Sequence, residues 1–121
     1  MLKILNNNFS ICKVGELPNI NLFGDIFFVG KTDEEISIVC NSEYVPTNFI
    51  TRDDGWRAFR IEGVLDFSLV GILAKISNIL AENNISIFAL STYNTDYILI
   101  KEERFDDAIK VLRANGYEIA H

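Results

Sequence analysis

LDFSLVGILAKISNILAENNISIFALSTYNTDYILIK, residues 65–101, is the stretch that decides the fold. Leu69, Ile72, Leu73, Ile76, Ile79 and Leu80 recur at i, i+3, i+4, i+7, the signature of one buried helical face. Ser68, or Asp66 just before it, supplies an oxygen that accepts hydrogen bonds from the first free amides of that helix. Asn83-Asn84 stops it in a left-handed conformation. Ile85 to Thr92 is apolar on both faces, as a covered strand is, and Tyr93-Asn94-Thr95-Asp96 is turn chemistry. Tyr97 to Lys101 then runs back antiparallel.

Working outward, Trp56 to Val64 reads as a strand. It alternates Arg57, Phe59 and Ile61 on one face with Ala58, Arg60 and Glu62 on the other. After the hairpin, Phe105, Ala108, Ile109 and Leu112 form the stripe of a second helix. Gly116 sits where a glycine past a helix end belongs, and Tyr117 to Ala120 is a last short strand. The order is βαββαβ, the split βαβ of the ferredoxin-like fold, in the α+β class.

The first half reads as a reduced version of the same order. Phe9–Val14 is a strand, Leu17–Asp25 an irregular link and Asp25–Lys31 a second strand. Thr32 with Glu35 makes a capping-box pattern that predicts a short helix, and Ser37–Cys40 is a third strand. The expected organisation is two ferredoxin-like units in tandem: a degenerate one over 1–50 and a complete one over 56–121, with a connection at about 41–55.

Composition excludes several classes of function. The 121 residues are 49% hydrophobic and 23% charged, enough for a packed core. The net charge of −6 argues against nucleic acid and against an anionic membrane surface. No run approaches the roughly 18 apolar residues of a membrane span, and residues 1–8 lack the apolar core of a signal peptide, so a cytoplasmic location is expected. Cys12 and Cys40 stand alone in apolar runs and read as buried thiols. With His121 the lone histidine, no zinc or other metal site and no cofactor is expected.

Catalysis finds no support either. Residues 63–68 hold no arginine or lysine for a phosphate cradle, no histidine triad is available, and no lysine or histidine base stands near the serines. What remains is recognition. A helix amino end accepts an anionic group such as a carboxylate, and Asp66 or Asp96 meets an amino group. Beside this stands a plainer reading, in which Asp66 and Ser68 are caps, Asp96 is a turn residue, and Phe67 and Tyr93 are core or rim aromatics.

Four segments add a family resemblance. Gly63-Val64-Leu65-Asp66-Phe67-Ser68-Leu69-Val70-Gly71-Ile72-Leu73-Ala74 resembles the strand-to-helix entry of ACT domains, and Leu80–Phe88 resembles their helix end and second strand. Ser91-Thr92-Tyr93-Asn94-Thr95-Asp96-Tyr97-Ile98-Leu99-Ile100 resembles the hairpin of small bacterial tandem-ACT proteins and of the animal CASTOR arginine sensors. Thr32–Cys40 is similar to the mid-chain segment of that subfamily.

The resemblance implies a non-catalytic regulatory or sensor protein that binds a small amino acid between neighbouring units, in a homodimer that acts on a protein partner. It implies ligand contacts from Asp66, Phe67, Ser68 and Leu69 at the helix entry, from Ser86 and Ile87 at the second strand, and from Thr92, Tyr93 and Asp96 at the hairpin. Leu69 stands where the arginine sensors carry an acidic residue, which speaks against arginine as the ligand. The alternative is a dimerising interaction module without a ligand.

Overall fold

The computed structural model describes residues 1–62 and 71–121. Among the described residues nine regular elements follow in order: β1 Leu2–Val14, β2 Phe28–Lys31, β3 Ile36–Asn41, β4 Phe49–Ile61, α1 Ile72–Glu82, β5 Phe88–Ser91, β6 Asp96–Lys101, α2 Glu102–Ala114 and β7 Ile119–Ala120. Short 3-10 turns stand at Ile20–Leu22 and Ser42–Tyr44. The chain divides into two compact units. The larger comprises Met1–Asn6 and Arg57–His121, the smaller Asn7–Trp56.

In the larger unit the elements run β4-α1-β5-β6-α2-β7, the βαββαβ order expected, and the fold is α+β. Its strands lie in the order β7-β1-β4-β6-β5. The first residues of β1 stand between β7 and β4, with Leu2 opposite Ile119 and Lys3 opposite Ala120 in parallel register. The backbone N–H of Leu2 donates to the carbonyl of Glu118 (2.8 Å), and that of Glu62 donates to Met1 (2.8 Å). The expectation of a strand starting at Phe9 is thus corrected. Three consecutive asparagines read as a break, but the ladder satisfies their backbone groups whatever the side chain, and Leu2, Ile4 and Leu5 are buried.

The core of this unit joins Leu2, Ile4, Phe59 and Ile61 to Ile98 and Ile100 of β6. Over them lie Ile76 and Leu80 of α1 and Phe105, Ala108, Ile109 and Leu112 of α2. These are the stripes that the periodicity marks. Phe59 and Phe105 meet with ring centroids 6.5 Å apart, and the Arg57 guanidinium lies 4.8 Å from the Phe105 centroid.

Both helices end alike. In α1, Ile85 N–H donates to Leu80 O (2.9 Å) and Asn84 N–H to Ala81 O (3.0 Å), with Asn84 left-handed at φ +58°. In α2, Tyr117 N–H donates to Leu112 O and Gly116 N–H to Arg113 O, with Gly116 at φ +92°. Each is a Schellman ending, which satisfies carbonyls that the helix leaves open. Arg104 adds a link, donating to the carbonyls of Asn84 (3.1 Å) and Asn83 (3.2 Å).

At its start α1 departs from expectation. It begins at Ile72, with Gly71 at the cap position, left-handed at φ +92° and without a side-chain capping bond. Ser68 and Asp66, the expected caps, lie outside the described residues.

The smaller unit has strand order β2-β3-β1-β4. Its core gathers Cys12, Val14, Phe23, Ile38 and Cys40, with Phe27, Ile36 and Val45 packed against them, and both cysteines are free and buried. Two of the expected elements are corrected here. The strand expected to start at Trp56 begins at Phe49, so part of the stretch read as a connection is β4. The short helix expected after Thr32 is a hairpin turn. Thr32 Oγ1 does accept from the N–H groups of Glu34 (3.1 Å) and Glu35 (3.2 Å), as a cap does, but Thr32 N–H closes the turn on Glu35 O (2.9 Å) and β3 follows at once. The β-branched run Ile36, Ile38 and Val39 favours the ladder over a helix of one turn.

The two units share one motif at a constant offset of 60 residues. β2 pairs with β3 in the register Phe28↔Val39 to Lys31↔Ile36, and β5 pairs with β6 from Phe88↔Leu99 to Ser91↔Asp96. Burial along β3 and along β6 follows one pattern. The turns also match, since Thr92 N–H donates to Thr95 O (2.9 Å) as Thr32 N–H does to Glu35 O.

Candidate functional site

The hairpin turn between β5 and β6 is fixed at several points. Thr92 bonds Thr95 through its backbone N–H and through Oγ1, which donates to Thr95 O (3.1 Å). Thr95 is buried, and its Oγ1 donates to the carbonyl of Ile61 at 2.6 Å. That bond ties the turn to the end of β4, where the chain leaves toward α1. Residue reading marked Thr95 as turn chemistry only. A β-branched residue at the last place of a tight turn is its sole signal in the sequence, and the partner is 34 residues away.

Asp96 opens β6. By strand alternation it shares the face of Ile98 and Ile100, which point into the core under the helices. Its Oδ1 accepts the Ser91 hydroxyl at 2.6 Å across the hairpin mouth. No cation pairs with it among the described residues. A carboxylate oriented by one neutral donor keeps acceptor capacity for a second, charged one. Tyr93, at the tip, is 89% exposed. On the opposite face of the sheet end, Arg60 is engaged. Burial pulls its pKa down, but hydrogen bonds with Tyr97 and Glu62 outweigh this and the shift is upward. Arg60 therefore stays charged and occupied.

Of the nine residues expected to contact a ligand, Thr92, Tyr93 and Asp96 stand together at this mouth. Ser86 and Ile87 precede the other end of β5, whose four residues span about 13 Å. Ser86 is exposed, and Ile87 packs partly against the core. One chain therefore holds these two groups apart. Asp66, Phe67, Ser68 and Leu69 lie outside the described residues. Among the described residues no group of three or more His, Cys, Asp or Glu side chains is placed to hold a metal, and no described helix is long and apolar enough to cross a membrane.

Comparison with known proteins follows the same lines. The sequence profile of the ACT domain matches residues 51–114, just over half of the chain. The human and bovine proteins named "Cytosolic arginine sensor for mTORC1 subunit 1" are each 36% identical over 85 residues, 64% of this chain and 26% of theirs. The match thus spans about a quarter of the length of these curated relatives. A crystal structure of a protein from Agobacterium tumefaciens is similar over 98% of this chain and 90% of its own, with a TM-score of 0.87 and 29% identity. The ligand-free regulatory subunit of aspartate kinase from Thermus thermophilus shares the fold over 96% of this chain and 97% of its own, with a TM-score of 0.67 and 12% identity. The chain belongs to the ACT domain family.

Proposed function

We propose that this chain is a non-catalytic regulatory protein that binds a free amino acid at the hairpin mouth of its larger unit. The observation that carries the reading is Asp96, a carboxylate held by Ser91 beside a turn that Thr95 locks in place. It offers an amino group a preorganised anionic partner. The ligand carboxylate would then meet the free backbone N–H groups at the start of α1, after Gly71. Similarity to arginine sensors and the shared fold with aspartate kinase regulatory subunits support a regulatory role. Leu69 supplies no charge for a guanidinium, so the reading favours a small amino acid over arginine.

In this reading the ligand lies between copies. Ser86 and Ile87, a strand length away from Asp96, contact the ligand of a neighbouring chain in a homodimer. The smaller unit is the degenerate member of a tandem pair. Its matched hairpin register supports that, and the 3-10 turns Ile20–Leu22 and Ser42–Tyr44 stand where α1 and α2 stand in the larger unit. The protein acts in the cytoplasm on a separate protein partner.

Thermal denaturation with each free amino acid tests the proposal. A ligand at 100 times its Kd stabilises by about 2.7 kcal/mol. Asp96→Asn should abolish that gain while leaving the unliganded protein nearly as stable. If no amino acid stabilises the protein, the proposal fails in favour of a dimerising module without a ligand.

A further inference from the structure

A groove of about 380 Å³ lies away from the hairpin mouth, along α1 and the end of α2. Lys75, Asn78 and Ile79 line it from one face of α1, at the i, i+3, i+4 spacing that places side chains together. Asn115, Gly116 and Tyr117 line it from the Schellman ending of α2. Its size falls within the range of small-molecule sites, but it is shallow and widely open to solvent, with Lys75, Asn78 and Asn115 exposed.

Its lining is mixed. The Lys75 ammonium has no ion-pair or hydrogen-bond partner among the described residues, although the chain carries 17 acidic residues against 11 basic ones. The Asn78 amide likewise bonds none of them. The Asn115 amide nitrogen donates to Val111 O at 2.8 Å, which leaves its carbonyl oxygen to accept. Ile79 and Tyr117 are both partly buried against the core, and they form an apolar floor. A cation and an amide from α1, an acceptor from the end of α2 and two partly buried apolar side chains complement one kind of ligand.

We infer that this groove is a second binding site, for a small carboxylic acid with an apolar tail. The carboxylate meets Lys75 and the Asn78 amide, and the tail lies on Ile79 and Tyr117. An amino or hydroxyl group beside the carboxylate donates to Asn115 Oδ1. The site is independent of Asp96. Because it is open, binding is in the millimolar range, suited to an abundant metabolite.

The test is a titration of the ¹⁵N-labelled full chain with 3-phenylpropionate, followed by amide chemical shifts. Shifts should cluster at Lys75, Asn78, Ile79, Gly116 and Tyr117. Lys75→Gln should weaken binding at least fivefold, and Asn78→Ala by a smaller factor. Phenethylamine, which keeps the ring and lacks the carboxylate, should leave these amides in place. Asp96→Asn should bind 3-phenylpropionate as the parent does, which separates this site from the hairpin mouth. Equal affinity in Lys75→Gln, shifts centred on residues 92–96, or no saturable shifts overturn the inference. So does concentration-dependent broadening of the groove amides without ligand, which would place a second copy of the chain there.

Discussion

Thr95→Val isolates the bond that holds the candidate site in place. The substitution exchanges a hydroxyl for a methyl of similar size and keeps the β-branch, so packing and strand preference stay the same. What is lost is the 2.6 Å bond to the Ile61 carbonyl at a position only 8% exposed. A buried acceptor deprived of its donor costs about 1–3 kcal/mol. With a urea m-value of about 2 kcal/mol/M, the middle of that range lowers the denaturation midpoint by about 1 M. The assay is urea unfolding followed by circular dichroism, with amide exchange at residues 92–97 as a local readout. Exchange there should accelerate more than at Ile98 to Ile100, because the turn loses its anchor while the ladder remains. Thr92→Val is the control. Its hydroxyl serves only the turn, so its cost should stay below about 1 kcal/mol. A Thr95→Val midpoint within 0.2 M (~0.4 kcal/mol) of the parent would refute the reasoning and return Thr95 to ordinary turn chemistry.

Leu80→Ala, at a fully buried position where α1 meets the core, should cost about 2–5 kcal/mol in the same assay. Asn84 sits at φ +58°, so Asn84→Ala should destabilise by about 1 kcal/mol while Asn84→Gly is neutral or better, as paired melting curves would show. Burial pushes the Cys40 thiol from 9.0 up to about 12, with Cys12 adding to the rise and Arg52 opposing it. The folded thiol thus keeps its proton where the unfolded one loses it. This contribution to stability is whole below pH 9 and is lost as pH rises from 9 to 12, so Cys40→Ala should flatten the alkaline fall in stability.

Much of the larger unit was legible in residue order because its signals are local. The stripes of α1 and α2, the asparagine and glycine stops, and the turn at 93–96 each depend on neighbours within a few positions. Ile76, Leu80, Phe105 and Leu112 are buried as their spacing requires. The start of α1 was less legible. The apolar stripe runs back through Leu69, but Gly71 adopts a left-handed φ and the described helix begins after it. Thr32 shows the limit of local chemistry: its oxygen accepts two amide bonds whether a helix or a hairpin follows, and only the pairing of β2 with β3 decides.

The sequence by itself determined the βαββαβ order of the larger unit, because periodicity, caps and turn residues act at short range; the ligand residues proposed at its hairpin rest on the family resemblance. Tertiary structure decided the rest. It alone set Leu2 and Lys3 beside β7, extended β4 back to Phe49, and placed the two hairpins in one register 60 residues apart. It alone brought Thr95 to Ile61 and so fixed the mouth at which Asp96 stands. The physical reason is common to all four. Strand pairing and buried hydrogen bonds join residues far apart in the chain, and the identity of a side chain carries little trace of a partner that the backbone selects.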